Sequence, residues 1–369
     1  MALTNQILSY LKQPQFFLPI AWVMAVHFIE LIMLPSLSAQ AVNLKEFSLT
    51  ERYLNIWFFN SDANYYYEIA KKAYEDTSPV FFPAWPLIAK ITGPSLIGMK
   101  ILALIFTLSF FAFIPLALRA LKVKVKLEIF LISLVAFPAS FILNAPMTEP
   151  LFLFLSVLTI INTEKGNFKN ASLLIAVASA TRPNGSLLAV YLFIKIATKG
   201  IGSIKRNWWT LPISVSGIIV YSLYLHFARG DFFAFYHEQQ YWNNSISLES
   251  INKLVVEQKT IFLQIFSTYK PIPLKIYQLG SIIFFIFLSA ISFRKINKAL
   301  WSYCFLAILL PLISGTHLAT SRYLLASFPF FIPLAQILQK NKLLFYTFIF
   351  VSLYFQAYLI TRFLNFEAT

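Results

Sequence analysis

Charge is what this chain has least of. Only 12% of its 369 residues are Asp, Glu, Lys or Arg, about half of the roughly 25% with which a soluble globular protein solvates its surface. In their place, 58% are hydrophobic and 17% aromatic. Soluble, disordered, fibrous and disulfide-rich classes are excluded, which leaves a protein whose solvent is mostly lipid. Cysteine is down to one residue, Cys304 in the apolar run 300–312, so neither an internal disulfide nor a thiolate metal or redox centre is expected. Acids are half as many as bases, 15 against 30, for a net charge of +15. In a soluble protein that excess would suggest nucleic acid. In a lipid-embedded one it marks cytoplasmic loops held against an anionic leaflet, and no nucleic-acid partner is expected. Solenoid repeats, low-complexity linkers and two matched halves of the transporter kind are also missing.

What is present is a series of apolar runs, read against the roughly 20 residues that a helix needs to cross hydrocarbon. Candidate spans fall at about 16–35, 96–118, 128–146, 150–162, 171–181, 186–198, 208–227, 278–294, 299–315, 323–338 and 343–361, about eleven in all with a range of nine to thirteen. The runs 150–162, 171–181 and 186–198 are short and are expected to be broken or re-entrant. The first run lacks a basic n-region and a following cleavage site, and is expected to be retained. Lysine and arginine crowd the short connections: Arg119 to Lys126, Lys165 and Lys169, Lys199 to Arg206, Arg294 to Lys298, Lys340 and Lys342. These connections should be cytoplasmic, with the N-terminus inside, the C-terminus outside, and the long loops 36–95 and 228–277 extracytoplasmic. One all-α integral membrane domain, 1–369, is expected.

Polar residues ill suited to lipid gather at the junctions on the loop side. Asp62 precedes Ala63, Tyr66, Tyr67, Ala70, Ala73 and Tyr74, spaced at three and four, with Glu68, Lys71, Lys72 and Glu75 opposite. That pattern predicts an amphipathic helix along the membrane surface, its tyrosines at headgroup level, followed by an aromatic turn, Phe81 to Pro86, that re-enters the interface. Asp62 reads either as the helix N-cap or as a functional acid, and the two roles are compatible. Thr148 and Glu149 precede Pro150 and either stabilise a helix start or belong to a site. Arg182, in Thr181-Arg182-Pro183-Asn184-Gly185, has no acid nearby in sequence. The plain reading there is a polar turn; the functional one is a fork gripping phosphate or carboxylate.

Asp231, His237 and Glu238 open the second loop among aromatics that otherwise form an interfacial belt. Arg322 starts a late run just after His317, where snorkelling is the plain reading. His27 and Glu30, at i and i+3, share a face of the first run and are expected to hydrogen-bond to each other or to a neighbouring helix. Independent plain explanations do not require a shared side of the membrane. Asp62, Glu149, Arg182, His237 and Arg322 nevertheless all border the same face, which favours one extracytoplasmic site. Two arginines at membrane depth imply an anion, and lipid phosphate is the anion present there. A carboxylate beside them can serve as general base. Together they suit glycosyl transfer from a lipid-phosphate sugar, with inversion at the anomeric carbon and no metal required.

The stretch Ser61-Asp62-Ala63-Asn64-Tyr65-Tyr66-Tyr67-Glu68-Ile69-Ala70 through Ala73-Tyr74 to Phe81-Phe82-Pro83-Ala84-Trp85-Pro86 resembles the first lumenal loop of PIG-V-type mannosyltransferases. Thr148-Glu149, Thr181 to Gly185, Gly230-Asp231 through Ala234-Phe235 and His237, and Ser321-Arg322-Tyr323 with Phe328-Pro329 follow in the family's order. The resemblance implies a GT-C fold and a polyprenyl- or dolichyl-phosphate mannose donor. It implies Asp62 as general base and Arg182, His237 and Arg322 as ligands of donor phosphate or sugar. Glu149, Asn184, Asp231 and Tyr66 would support them. The chain departs from the family at Ser61, where tryptophan is usual, at Pro183, where serine is usual, and at Ala73, where glycine is usual. The implied partners are membrane lipids, the lipid-linked sugar donor and a glycolipid or glycan acceptor, and a small membrane partner subunit is compatible with such an enzyme. Low glycine with abundant Lys, Ile and Phe suggests a bacterial cytoplasmic membrane rather than an ER membrane. Two rivals stay open: a lipid or glycolipid transporter or flippase, and a non-catalytic membrane subunit of a glycosylation complex.

Overall fold

The computed structural model describes residues 12–33, 48, 51, 53, 55–58, 61–74, 78–242, 247–267, 273–314 and 320–364. His317 and Glu75 lie outside them. Among the described residues there is no strand. Among these residues seventeen α-helices run in order: α1 (Pro14–Met33), α2 (Asp62–Lys72), α3 (Ala84–Ile91), α4 (Leu96–Ala120), α5 (Leu127–Val135), α6 (Thr148–Glu164), α7 (Phe168–Thr181), α8 (Leu188–Ala197), α9 (Ile201–Asn207), α10 (Thr210–Arg229), α11 (Ala234–His237), α12 (Leu248–Ser267), α13 (Pro273–Ser292), α14 (Lys298–Ile313), α15 (Thr320–Ala326), α16 (Phe331–Leu338) and α17 (Lys342–Leu364). Every run read as a span contains a helix. Five of them, α1, α4, α10, α13 and α17, are long and apolar enough to cross a membrane, or up to seven crossings if each bent pair counts as one. The chain is an all-α, multi-pass membrane protein.

The breaks fall elsewhere than expected. The short run 150–162 is the unbroken 17-residue α6, whereas α5 turns by 83° into the 3₁₀ segment Pro138–Asn144, and α15 turns by 80° into Phe328–Leu338. The cause lies in Pro138 and Pro329. Each supplies no N–H and restricts the residue before it, so the helix stops and restarts in a new direction. Local stops and starts elsewhere follow side-chain chemistry. Asn297 caps α14 by accepting the Leu300 N–H at 2.8 Å, and α10 ends at Gly230 in the left-handed conformation, φ 73°.

Helix α6 is the centre of the bundle. Thirteen of its residues are buried, on every face, with α4 on one side and α7 on the other, and α10 beyond α7. Gly217 lets α10 approach closely: a Cβ there would sit 2.0 Å from the Ala176 carbonyl oxygen of α7. Lys165, just after α6, and Lys169, in the first turn of α7, lie at the helix ends opposite Glu149 and Arg182. One helical layer therefore presents basic turns at one end and the mixed charges at the other.

Candidate functional site

Ser61 starts α2 in an extended conformation, φ −141° and ψ 165°, and its hydroxyl accepts the Ala63 N–H at 3.2 Å. Serine, not Asp62, is the cap. Asp62 is the first helical residue and its carboxylate is directed elsewhere, Oδ2 lying 3.1 Å from Arg322 Nη2. The buried face of α2, Ala63, Tyr66, Ile69 and Ala70, packs on protein. The expectation of tyrosines at headgroup level is corrected for Tyr66, which is 7% exposed. Burial first, and then the charge of Asp62, push its hydroxyl well above the ordinary tyrosine value, so it stays protonated, within hydrogen-bonding reach of Thr148. The aromatic turn is likewise internal. Phe81, Phe82 and Trp85 are buried, and the Trp85 indole N–H donates to the Pro146 carbonyl at 3.0 Å. That bond ties the first loop to the start of α6.

Glu149 occupies the first turn of α6, where the helix dipole favours an acid. Its Oε1 receives Arg322 Nε at 2.9 Å and Nη2 at 2.5 Å. Arg182 Nη1 approaches the same oxygen to 2.9 Å, an ion pair by distance without hydrogen-bond geometry. Arg182 is the extended residue, φ −155° and ψ 150°, between α7 and the 3₁₀ segment Pro183–Leu187. The expected tight Asn-Gly turn is thus a short 3₁₀ helix with Pro183 at its start. Gly185 makes the turn possible, since a Cβ there would lie 2.0 Å from the Ala178 carbonyl oxygen. The Arg182 guanidinium stands over the Tyr323 ring at 5.7 Å.

Four residues singled out in the sequence therefore meet: Asp62, Glu149, Arg182 and Arg322. Two cations balance two anions. Within this group Glu149 Oε2 and Arg182 Nη1 are buried without hydrogen-bond partners. The Asp62 side chain is 39% exposed and the Glu149 side chain 3%, so the group opens on the Asp62 side. Arg322 does not snorkel; its side chain is 22% exposed and bridges both acids. Helix α6 has 17 residues, about 26 Å at 1.5 Å each, and α7 has 14, about 21 Å. Both are shorter than the roughly 30 Å hydrocarbon layer, so helices of this length end below its surface.

The other expected residues stand apart. His237 Nδ1 pairs with Asp231 Oδ2 at 2.8 Å, their side chains 56% and 39% exposed. The histidine contact, and then the Phe233 N–H, hold the Asp231 carboxyl below its ordinary value. Asn184 donates to the Ala307 carbonyl of α14 at 3.1 Å and serves packing. Arg229 and Ser78, not singled out in the sequence, also matter. Arg229 Nη1 lies 2.9 Å from Glu238 Oε1, Ser78 donates to Glu238 Oε2 at 2.8 Å, and Arg229 Nη2 donates to the Tyr74 carbonyl at 3.0 Å. Together they clamp the second loop onto the first. Beside α2, a groove of 570 Å³ runs between α3, α7 and α10, lined by Ile69, Tyr74, Ala176, Ala180, Tyr221 and other apolar groups.

Comparison with protein-family models, with curated proteins and with solved structures finds no match.

Proposed function

We propose that the chain is an inverting glycosyltransferase of GT-C type, moving a mannose or similar hexose from a polyprenyl- or dolichyl-phosphate carrier to a hydroxyl of a glycolipid or glycan. The observation that carries this reading is the meeting of Asp62, Glu149, Arg182 and Arg322, with one buried donor and one buried acceptor left unused. Two guanidiniums recessed beside apolar helices suit the phosphate of a lipid better than any soluble anion. The adjoining 570 Å³ groove has the size and apolar lining that an isoprenoid chain needs.

In this reading Asp62 is the base. The donor phosphate takes hydrogen bonds from Arg182 and Arg322, and it competes with Asp62 for Arg322. The freed carboxylate accepts the proton of the acceptor hydroxyl as that oxygen bonds to the anomeric carbon. The carbon–oxygen bond to phosphate breaks, and the lipid phosphate departs as an anion stabilised by the arginines. Glu149 Oε2 offers an acceptor to a sugar hydroxyl, and Tyr66 offers a neutral donor. Asp231 and His237, apart from the four, receive a role at the acceptor entrance rather than on the phosphate. Counted by the positive-inside rule, the lysine-rich turns are cytoplasmic and the site extracytoplasmic, in a topology of about eleven crossings. The reading of Ala73 as a departure from the family's glycine has support in its backbone, φ 59° and ψ −147°, a conformation suited to glycine.

The test is transfer of radiolabelled mannose from polyprenyl-phosphate mannose by purified protein into a crude lipid extract. A labelled glycolipid made by the wild type supports the reading. Carrier movement across vesicles with no glycosidic product would point to a flippase instead.

A further inference from the structure

Glu30 of α1 is fully buried, and its Oε2 gathers three groups: His27 Nδ1 at 2.8 Å, the Trp57 indole N–H at 3.3 Å and Lys100 Nζ of α4 at 3.8 Å. Lys100 is 6% exposed and lies over the Tyr53 ring at 4.0 Å and the Trp57 ring at 5.3 Å. The Tyr53 hydroxyl is 2.9 Å from His27 Nδ1. An ion pair so deeply buried adds little stability over well-packed apolar residues, because desolvation offsets attraction. Its effect is directional, since it fixes where the Trp57 N–H points. Trp57 itself is 1% exposed, its ring 4.8 Å from that of Phe363.

The chain from this cluster leads to the catalytic helix. The Trp57 carbonyl accepts the hydroxyl proton of Ser61, and that same hydroxyl oxygen accepts the Ala63 N–H. Asp62 sits between the two. No described hydrogen bond or ion pair joins Glu30 or Lys100 to Glu149, Arg182 or Arg322. We infer that Glu30, Lys100 and Trp57 are positioning residues: the buried ion cluster holds the turn ending at Phe58, the Trp57 carbonyl orients the Ser61 cap, and the cap aims Asp62 at Arg322. The catalytic part of this inference rests on Asp62 being the base.

Two variants of the full-length protein test it. Trp57→Phe keeps an aromatic ring against Phe363 and removes the indole N–H. Glu30→Leu with Lys100→Met removes both charges and the acceptor of the Trp57 N–H together, leaving no unpaired buried ion. Hydrogen exchange is followed across 61–72 alongside kcat and the donor KM. Both variants should exchange about tenfold faster in the first turn of α2 with α6 and α17 unchanged, and should lose about tenfold in kcat at unchanged donor KM, as expected of a misplaced base. Unchanged exchange in α2 overturns the positioning. Faster exchange with unchanged kcat overturns its catalytic consequence. A wild type that transfers no sugar overturns the glycosyltransferase reading instead, and the exchange result then decides the positioning alone.

Discussion

Arg322 and Glu149, 173 residues apart in sequence, meet through a single oxygen. Nε and Nη2 of the arginine reach Oε1 at 2.9 and 2.5 Å, while Oε2 stays buried and unpartnered. Glu149 thereby neutralises a second arginine as well, Arg182 at 2.9 Å. Removing its charge leaves Arg182 without a counter-ion in a buried setting and Arg322 with Asp62 alone. Glu149→Gln should therefore lower stability by about 3–5 kcal/mol, read as a fall in the thermal unfolding midpoint of the purified protein. An unchanged midpoint would mean that the cluster contributes nothing to the fold.

Arg322→Lys separates charge from geometry. A lysine keeps the charge but presents one compact ammonium, which lacks the second donor nitrogen, Nε, that Arg322 aims at Glu149 while Nη2 reaches both acids. The donor KM should rise about tenfold or more, with the loss of one charge-assisted hydrogen bond. Equal KM values for lysine and arginine would remove Arg322 from phosphate binding.

The four charged residues were legible in the sequence because a charge at the end of an apolar run is anomalous in lipid. Their shared face followed from the charge rule, but which side chains pair did not, since Asp62 and Arg322 are 260 residues apart and no local pattern encodes that contact. His237 stands apart from these four. Its ion pair is a local one, to Asp231 six residues earlier, and was readable from the sequence around it. Lys100 escaped notice because a lysine near the end of an apolar run is ordinary, and only the fold reveals that its ammonium is buried beside Glu30. Hydropathy located the apolar runs well but has no sense of direction, so runs 128–146 and 323–338 read as straight spans although Pro138 and Pro329 were in view.

Ala73 carries backbone strain that can be relieved. At φ 59° and ψ −147° it occupies a region open to glycine and costly for a residue with a Cβ. Ala73→Gly should stabilise the protein by about 1 kcal/mol, the relieved strain outweighing the entropy that glycine adds to the unfolded chain. A raised unfolding midpoint checks this; a lowered one would place the strain elsewhere.

The same alanine substitution should have opposite effects at two glycines. In Gly185→Ala the new Cβ meets the Ala178 carbonyl oxygen at 2.0 Å, whereas at Gly202 nothing lies within 4 Å. Overpacking at Gly185 should cost about 1–3 kcal/mol and, by shifting Arg182, weaken donor binding. Gly202→Ala, inside α9, should gain about 0.5–1 kcal/mol from helix propensity. Midpoints for the two variants moving in the same direction would contradict the packing described for the Arg182 turn.

The most direct test of the central claim is the initial rate of sugar transfer by Asp62→Asn beside its donor affinity and its stability. The Asp62 side chain is 39% exposed, so its ion pair with Arg322 contributes no more than about 1 kcal/mol, and the variant should fold and bind donor as the wild type does. As general base, however, it should be essential to turnover. The account predicts a rate lowered by about 10²–10⁴-fold with donor binding retained. A variant that transfers sugar at the wild-type rate would contradict it.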